Sequence, residues 1–211
     1  MRTDPGKDRN FVYSKEWQSS GKLAMYDTDA DGKKISNSFS GNERDHLYLN
    51  RSGKSFIDVS ALSGLDLISD GRSFAYLDYD HDGWLDVAVA SANTPQLQLL
   101  HNEIGNSITE SRNHVQLKFF GGNTSSEPSA TLSNRDGYGA KIIAALDNGL
   151  TVYREHHCGA GLAAQNTSVI HLGIGTATTI RELTVIWPSG KIHVTRNIQP
   201  GTLHEIREKK S

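Results

Sequence analysis

The stretch "YLDYDHDGWLDVAVA", Tyr76 to Ala90, crowds Asp78, Asp80, Asp82 and Asp86 together and then turns apolar. Carboxylates at this spacing repel one another, and each loses hydration when it is fixed in place. A bound cation removes that conflict. Calcium takes about six to eight oxygen ligands in a flexible shell. A D-x-D-x-D-G loop offers side-chain oxygens at its first, third and fifth positions, a glycine for the sharp turn, and then a backbone carbonyl. Here those positions are Asp78, Asp80, Asp82, Gly83 and the carbonyl of Trp84, and Asp86 adds a further carboxylate. The loop is not expected to be an EF-hand. The twelfth position is Val89 where a bidentate Glu is needed, and "WLDVAVA" alternates like a strand rather than a helix. A calcium site between two strands is the expectation.

A second loop, "MYDTDADGKKI", repeats the pattern about 50 residues earlier, a spacing typical of propeller-blade repeats. Asp27, Asp29, Asp31 and Gly32 match, with the Lys33 carbonyl in the seventh position. Its ninth position is Ile35, and Lys33 and Lys34 dilute the negative field, so this is the weaker of two expected calcium sites.

Helical periodicity is scarce along the 211 residues. Short alternating runs bounded by Gly, Asn, Asp and Ser read as all-β. The texture changes near residue 106. Residues 1–106 are rich in Asp, Asn and Ser and hold both loops. Residues 107–211 hold seven candidate strands, "HVQLKFF", "YGAKIIAAL", "LTVYREHH", "SVIHLGI", "IRELTVIW", "KIHVT" and "LHEIR". Asn148-Gly149 marks a hairpin, "WPSGKIHV" a second turn, and "GGNTSSEPSATLSNRDG" a long polar loop. Seven short strands with regular turns suggest a β-sandwich.

Composition narrows the function classes. A formal net charge of −2 argues against a nucleic-acid partner. No apolar run approaches the length of a membrane span. The single cysteine, Cys158, leaves no intrachain disulfide. "MRTDPGKDRN" lacks an apolar h-region, so either the protein is cytosolic or a leader or longer N-terminal region precedes this sequence. "GIGTA" and "GAGLA" are not nucleotide loops, since neither completes G-x-G-x-x-G ahead of a helix.

At the Asp loop the sequence resembles a known family. "FAYLDYDHDGWLDVAVA" is similar to an FG-GAP/VCBS-type repeat, the calcium-loop blade of integrin-α-like β-propellers, and "HLYLNRSGKSFIDVSALSGL" resembles the strand pair that precedes such a loop. "SNRDGYGAKI", "GAGLAAQNTSVIHLGIG" and "ELTVIWPSGKI" resemble the ASPIC/UnbV domain that closes cartilage-acidic-protein-like chains. The resemblance implies about two propeller blades followed by a sandwich, as the C-terminal part of a larger propeller protein. It implies an extracellular, periplasmic or cell-surface location, calcium binding, and an adhesion or interaction role without enzymatic activity. The sequence leaves the partner open between a protein, a glycan and another copy of the chain.

Two alternatives remain from the residues. Incomplete blades have open edges and invite self-assembly into a dimer or fibre. "YREHHCGAG" sets His156, His157 and Cys158 in a row, and imidazole and thiolate suit copper or zinc. Neighbours on a strand point to opposite faces, so at most His156 and Cys158 share one. A metal, redox or enzyme-accessory role rests on those two.

Overall fold

The computed structural model describes residues 26–28, 31–32, 34–36, 44–92, 95–110 and 112–209. The described residues are nearly all-β, in several sheets, none of them closed. In chain order the strands are β1 (Tyr26–Thr28), β2 (Lys34–Ser36), β3 (Tyr48–Asn50), β4 (Phe56–Asp58), β5 (Gly71–Leu77), β6 (Asp86–Ser91), β7 (Leu97–Leu100), β8 (Asn113–Phe120), β9 (Lys141–Leu146), β10 (Thr151–Glu155), β11 (Val169–Gly175), β12 (Ile180–Ile186), β13 (Ile192–Ile198) and β14 (Leu203–Arg207). A single-turn helix α1 (Ser60–Ser63) follows β4, and a 3₁₀ turn (Glu103–Ser107) follows β7.

Two compact units divide the chain. One takes the described residues up to Phe74 together with Ala88–Leu100; the other takes Ala75–Val87 and the residues from His101 onward. In the first unit β1 and β2 pair as an antiparallel hairpin, with Asp27 opposite Ile35. β3 and β4 form another, with Leu49 opposite Ile57. Its turn is closed by Asn50, whose Oδ1 accepts the Gly53 N–H at 2.7 Å. Both strands of this hairpin are exposed throughout, so Tyr48, Leu49, Phe56 and Ile57 present apolar surface.

β5, β6 and β7 make a three-stranded sheet in that order. The boundary between the units passes through β5 and β6, so the aspartate loop that joins these strands belongs with the second unit.

The second unit contains all seven strands expected from the sequence, β8 to β14. They form a four-stranded sheet, β10-β9-β12-β13, and a three-stranded one, β11-β8-β14. Strict alternation drives their burial. In β8, Val115, Leu117 and Phe119 are buried while His114, Gln116 and Lys118 are less so. Ile142, Ala144 and Leu146 of β9, Leu172 and Ile174 of β11, Leu183 and Val185 of β12, and Ile206 of β14 join them in one hydrophobic cluster fed by both sheets. Each Leu or Ile so buried contributes roughly 1.5–3 kcal/mol of transfer free energy.

The Asn148-Gly149 turn joins β9 to β10, whose register pairs Thr151 with Ala145. Gly149 has φ 85° and Asn148 stays out of the left-handed region, so the turn is not the two-residue type I′ form, which needs positive φ at both central residues. The "SNRDG" segment closes on itself. Asn134 Nδ2 donates to the Tyr138 carbonyl at 2.7 Å, and Asn134 Oδ1 accepts the Tyr138 N–H at 2.9 Å.

The long polar loop after β8 is tied down by one carboxylate at the end of β14. Glu208 is buried, and its Oε2 accepts the N–H groups of Gly122 at 2.7 Å and Ser133 at 2.8 Å. Its Oε1 accepts the hydroxyls of Ser133 at 3.2 Å and Ser189 at 2.5 Å. Burial pushes this carboxyl upward, but the donors from Ser189, Ser133 and Gly122 outweigh it and hold the pKa below the ordinary glutamate value. A depressed folded-state pKa stabilises the protein above the ordinary glutamate range, and that stabilisation is lost as pH falls through the range. Glu208→Gln is therefore expected to cost about 1–3 kcal/mol near neutrality, because two N–H donors lose a charged acceptor. Chemical denaturation across pH should show the gap to wild type closing below the ordinary glutamate pKa of 4.5.

Candidate metal loop

β5 and β6 enter and leave the loop as strands, as the alternation of "WLDVAVA" implies. The loop between them is folded largely by its own carboxylates. Asp80 Oδ1 accepts the Asp82 N–H at 3.3 Å, and Asp82 Oδ1 accepts the Trp84 N–H at 2.8 Å. His81 sits between them at φ 63°, a left-handed position that His adopts more readily than most residues.

Asp86, the first residue of β6, is fully buried. Its Oδ2 accepts the Tyr79 N–H at 3.1 Å and its Oδ1 the Asn102 N–H at 2.8 Å. Asn102 is itself anchored, its Nδ2 donating to the Leu85 carbonyl at 3.1 Å. A carboxylate has about four lone-pair sites, so two N–H donors leave acceptor capacity on a buried charge. Asp78 is half-buried. Its Oδ2 accepts from the Gly83 N–H at 3.2 Å and from Gln116 Nε2 at 3.3 Å, while its Oδ1 is buried with no hydrogen-bond partner. A buried carboxylate oxygen without a donor is costly unless a cation meets it.

Oxygen atoms of Asp78, Asp80 and Asp86 converge within 4.8 Å of one another. These residues fit a hard cation: all are carboxylates, one oxygen lacks a partner, and the buried member still has lone pairs to give. Asp82 is not part of that group. It shares a second set with Asp80 and His101, whose Nε2 is 3.0 Å from Asp80 and 3.9 Å from Asp82. Trp84, expected to contribute its carbonyl, is half-buried, with its indole against Gly105.

The weaker loop is described only in part. Asp31 and Gly32 are exposed in the turn between β1 and β2, and Gly32 has φ 78°. Asp29 and Lys33 lie outside the described residues, as does the side chain of Asp27.

Three histidines near the aspartates were not among the residues singled out as ligands from the sequence: His101, His114 and His171. His114 is on β8 and His171 on β11, both in the outward phase of their alternation. β8 and β11 pair with His171 opposite Gln116 and Gly173 opposite His114, so the histidines are diagonal neighbours. Their rings stack at 4.6 Å with planes 11° apart. His171 Nε2 lies 2.8 Å from the Gly83 carbonyl. Burial holds the His171 pKa below the ordinary histidine value, against the upward pull of that carbonyl.

His156 and Cys158 do not share an environment. His156 is only 3% exposed and stacks on Tyr138 at 4.5 Å, while Cys158 is exposed. Burial lowers the His156 pKa, and its Nε2 has no partner. His157 is exposed, 3.9 Å from Glu155. Among the described residues, no convergent group of possible metal ligands includes His156, His157 or Cys158.

Residues 130–211 match the family model described as ASPIC and UnbV. The ASPIC/UnbV match takes in the "SNRDG" turn, β9 to β14 and His171, and leaves the aspartate loop and His114 outside it. No curated protein matches the chain.

Gly83 is the residue on which the loop turns. Its φ is 92°, and a Cβ placed there would meet His114 Cε1 at 2.4 Å and Nδ1 at 2.7 Å. Left-handed backbone costs an L-residue about 1–2 kcal/mol before any clash is counted. Gly83→Ala is expected to lower the melting temperature by roughly 2–8 °C, measured by calorimetry in chelator so that no metal contributes.

Proposed function

We propose that this chain is a calcium-binding, non-enzymatic module for protein interaction or adhesion that works outside the cell. The observation that carries the calcium reading is the convergence of oxygens of Asp78, Asp80 and Asp86, with one buried Asp78 oxygen that has no hydrogen-bond partner. Asp82 and the Trp84 carbonyl complete the proposed ligand set, and the loop of Asp27, Asp29, Asp31 and Lys33 is a second, weaker calcium site. In this reading the β5-β6-β7 sheet is an FG-GAP-type blade and the two sheets of the second unit are a sandwich. The ASPIC and UnbV match supports an extracellular interaction module. The exposed apolar side chains of β3 and β4 support a protein partner, since clustered apolar surface marks interaction sites. The ion's part is structural: it neutralises the acids and fixes the loop.

Extracellular calcium modules bind with Kd of about 10⁻⁴–10⁻³ M. At about ten times Kd, an ion that binds only the folded state stabilises it by roughly 1.4 kcal/mol. For a chain of this size that corresponds to a melting-temperature rise of about 3–6 °C. Asp80→Ala is the informative variant, because Asp80 is exposed and meets only one local N–H and the exposed His101 ring, whereas Asp86 holds two backbone groups in the interior. Wild type should melt higher in millimolar calcium than in chelator, and Asp80→Ala should match wild type in chelator but lose the rise. Identical wild-type melts in the two conditions would end the calcium reading.

The same exposed β3–β4 hairpin, with open strand edges, favours a second reading in which another copy of the chain is the partner. Light scattering over a concentration series should then show mass rising with concentration; a constant monomer mass removes this reading.

A further inference from the structure

We propose that Asp78, His114 and His171 form a second metal site, which takes a borderline divalent transition ion such as zinc through one carboxylate and two imidazoles. An oxygen of Asp78 and a ring nitrogen from each histidine lie within 4.8 Å of one another, and all three residues are half-buried. The donor set is mixed nitrogen and oxygen, which suits zinc, copper or nickel and is wrong for calcium, which takes oxygen ligands.

The surroundings orient these groups as a metal requires. A carbonyl oxygen only accepts hydrogen bonds, so the 2.8 Å contact to the Gly83 carbonyl places a proton on His171 Nε2. That fixes the tautomer and leaves Nδ1 with its lone pair. Ligating histidines commonly donate their second nitrogen to a backbone carbonyl in this way. Asp78 is held similarly: Gly83 N–H and Gln116 Nε2 engage Oδ2 and leave the buried Oδ1 without a partner. Gln116 lies on the same outward face of β8 as His114, and directly opposite His171 in the sheet. One residue of the loop, Gly83, therefore positions both Asp78 and His171, while its missing Cβ makes room for His114. Three protein ligands leave coordination positions for water or for a group from a partner.

The site shares Asp78 with the calcium loop but does not rest on the calcium reading. Zinc bound here draws on the same Asp78 carboxylate as a cation held by Asp80 and Asp86, so zinc and calcium compete.

The test is zinc titration of the whole, metal-stripped chain by calorimetry, with zinc chloride as the only metal. Wild type should bind one ion tightly. His114→Gln and His171→Gln should each weaken it about tenfold or more, while His101→Gln leaves it unchanged. No zinc binding, or binding that survives both histidine substitutions, overturns the site. Binding lost instead with His101 assigns the ion to the exposed Asp80, Asp82 and His101 group and also overturns it. Should the histidine variants fail to fold, ring ¹⁵N signals of the wild-type chain decide. Zinc-dependent shifts at His114 and His171 support the site, and shifts confined to other histidines refute it.

Discussion

Gly83 is gripped from three directions, and the arrangement around the aspartate loop depends on that grip. Its N–H holds Asp78, its carbonyl holds His171, and the His114 ring lies where a side chain would project. These contacts join a loop made by β5 and β6 to the outward face of β8 and β11. They explain why the first aspartate of the loop is half-buried while Asp80 and Asp82 stay exposed. A D-x-D-x-D-G loop standing free in solvent would hold all three carboxylates alike. Here the sheet beneath it separates them into an interior end, Asp78 and Asp86, and an exterior end that meets His101.

The two buried carboxylates of the second unit illustrate different solutions to one electrostatic problem. Glu208 receives two backbone N–H groups and two hydroxyls, enough to satisfy a carboxylate with nothing added, and its pKa falls despite burial. Asp86 receives two N–H groups and faces other acids. The first is a clamp complete in itself. The second is unfinished by the same accounting, and a cation is the natural complement to it.

The strands of the second unit are legible in the sequence because their burial is strictly periodic. Val115, Leu117 and Phe119 announce β8, and Leu172 and Ile174 announce β11, without knowledge of what they pack against. Turn chemistry is nearly as readable. Asn148-Gly149 marks its hairpin, although only the glycine takes the left-handed conformation. The aspartate spacing marks the loop that brings Asp78, Asp80 and Asp86 together. The histidines are harder to see. Alternation assigns His114 and His171 to an outward face, but it does not say that residues 78–84 lie over that face. Glu208 is hidden for the same reason. It reads as a charge just after "LHEIR", and its partners Gly122, Ser133 and Ser189 belong to distant turns. The row His156-His157-Cys158 errs the other way: its chemistry is conspicuous in sequence, yet its first member is turned inward against Tyr138.

The chain crosses between its two units at residues 74–75, 87–88 and 100–101. No single cut can therefore release either unit whole, and a cut after residue 106 parts the aspartate loop from β8 and β11. Assembly follows the same constraint. β8 gains its parallel neighbour, β14, only after β9 to β13 have been synthesised, and contacts between distant segments make folding slow. During synthesis the aspartates leave the ribosome long before His171 and β14 do. Through that interval the Gly83 carbonyl lacks its His171 donor.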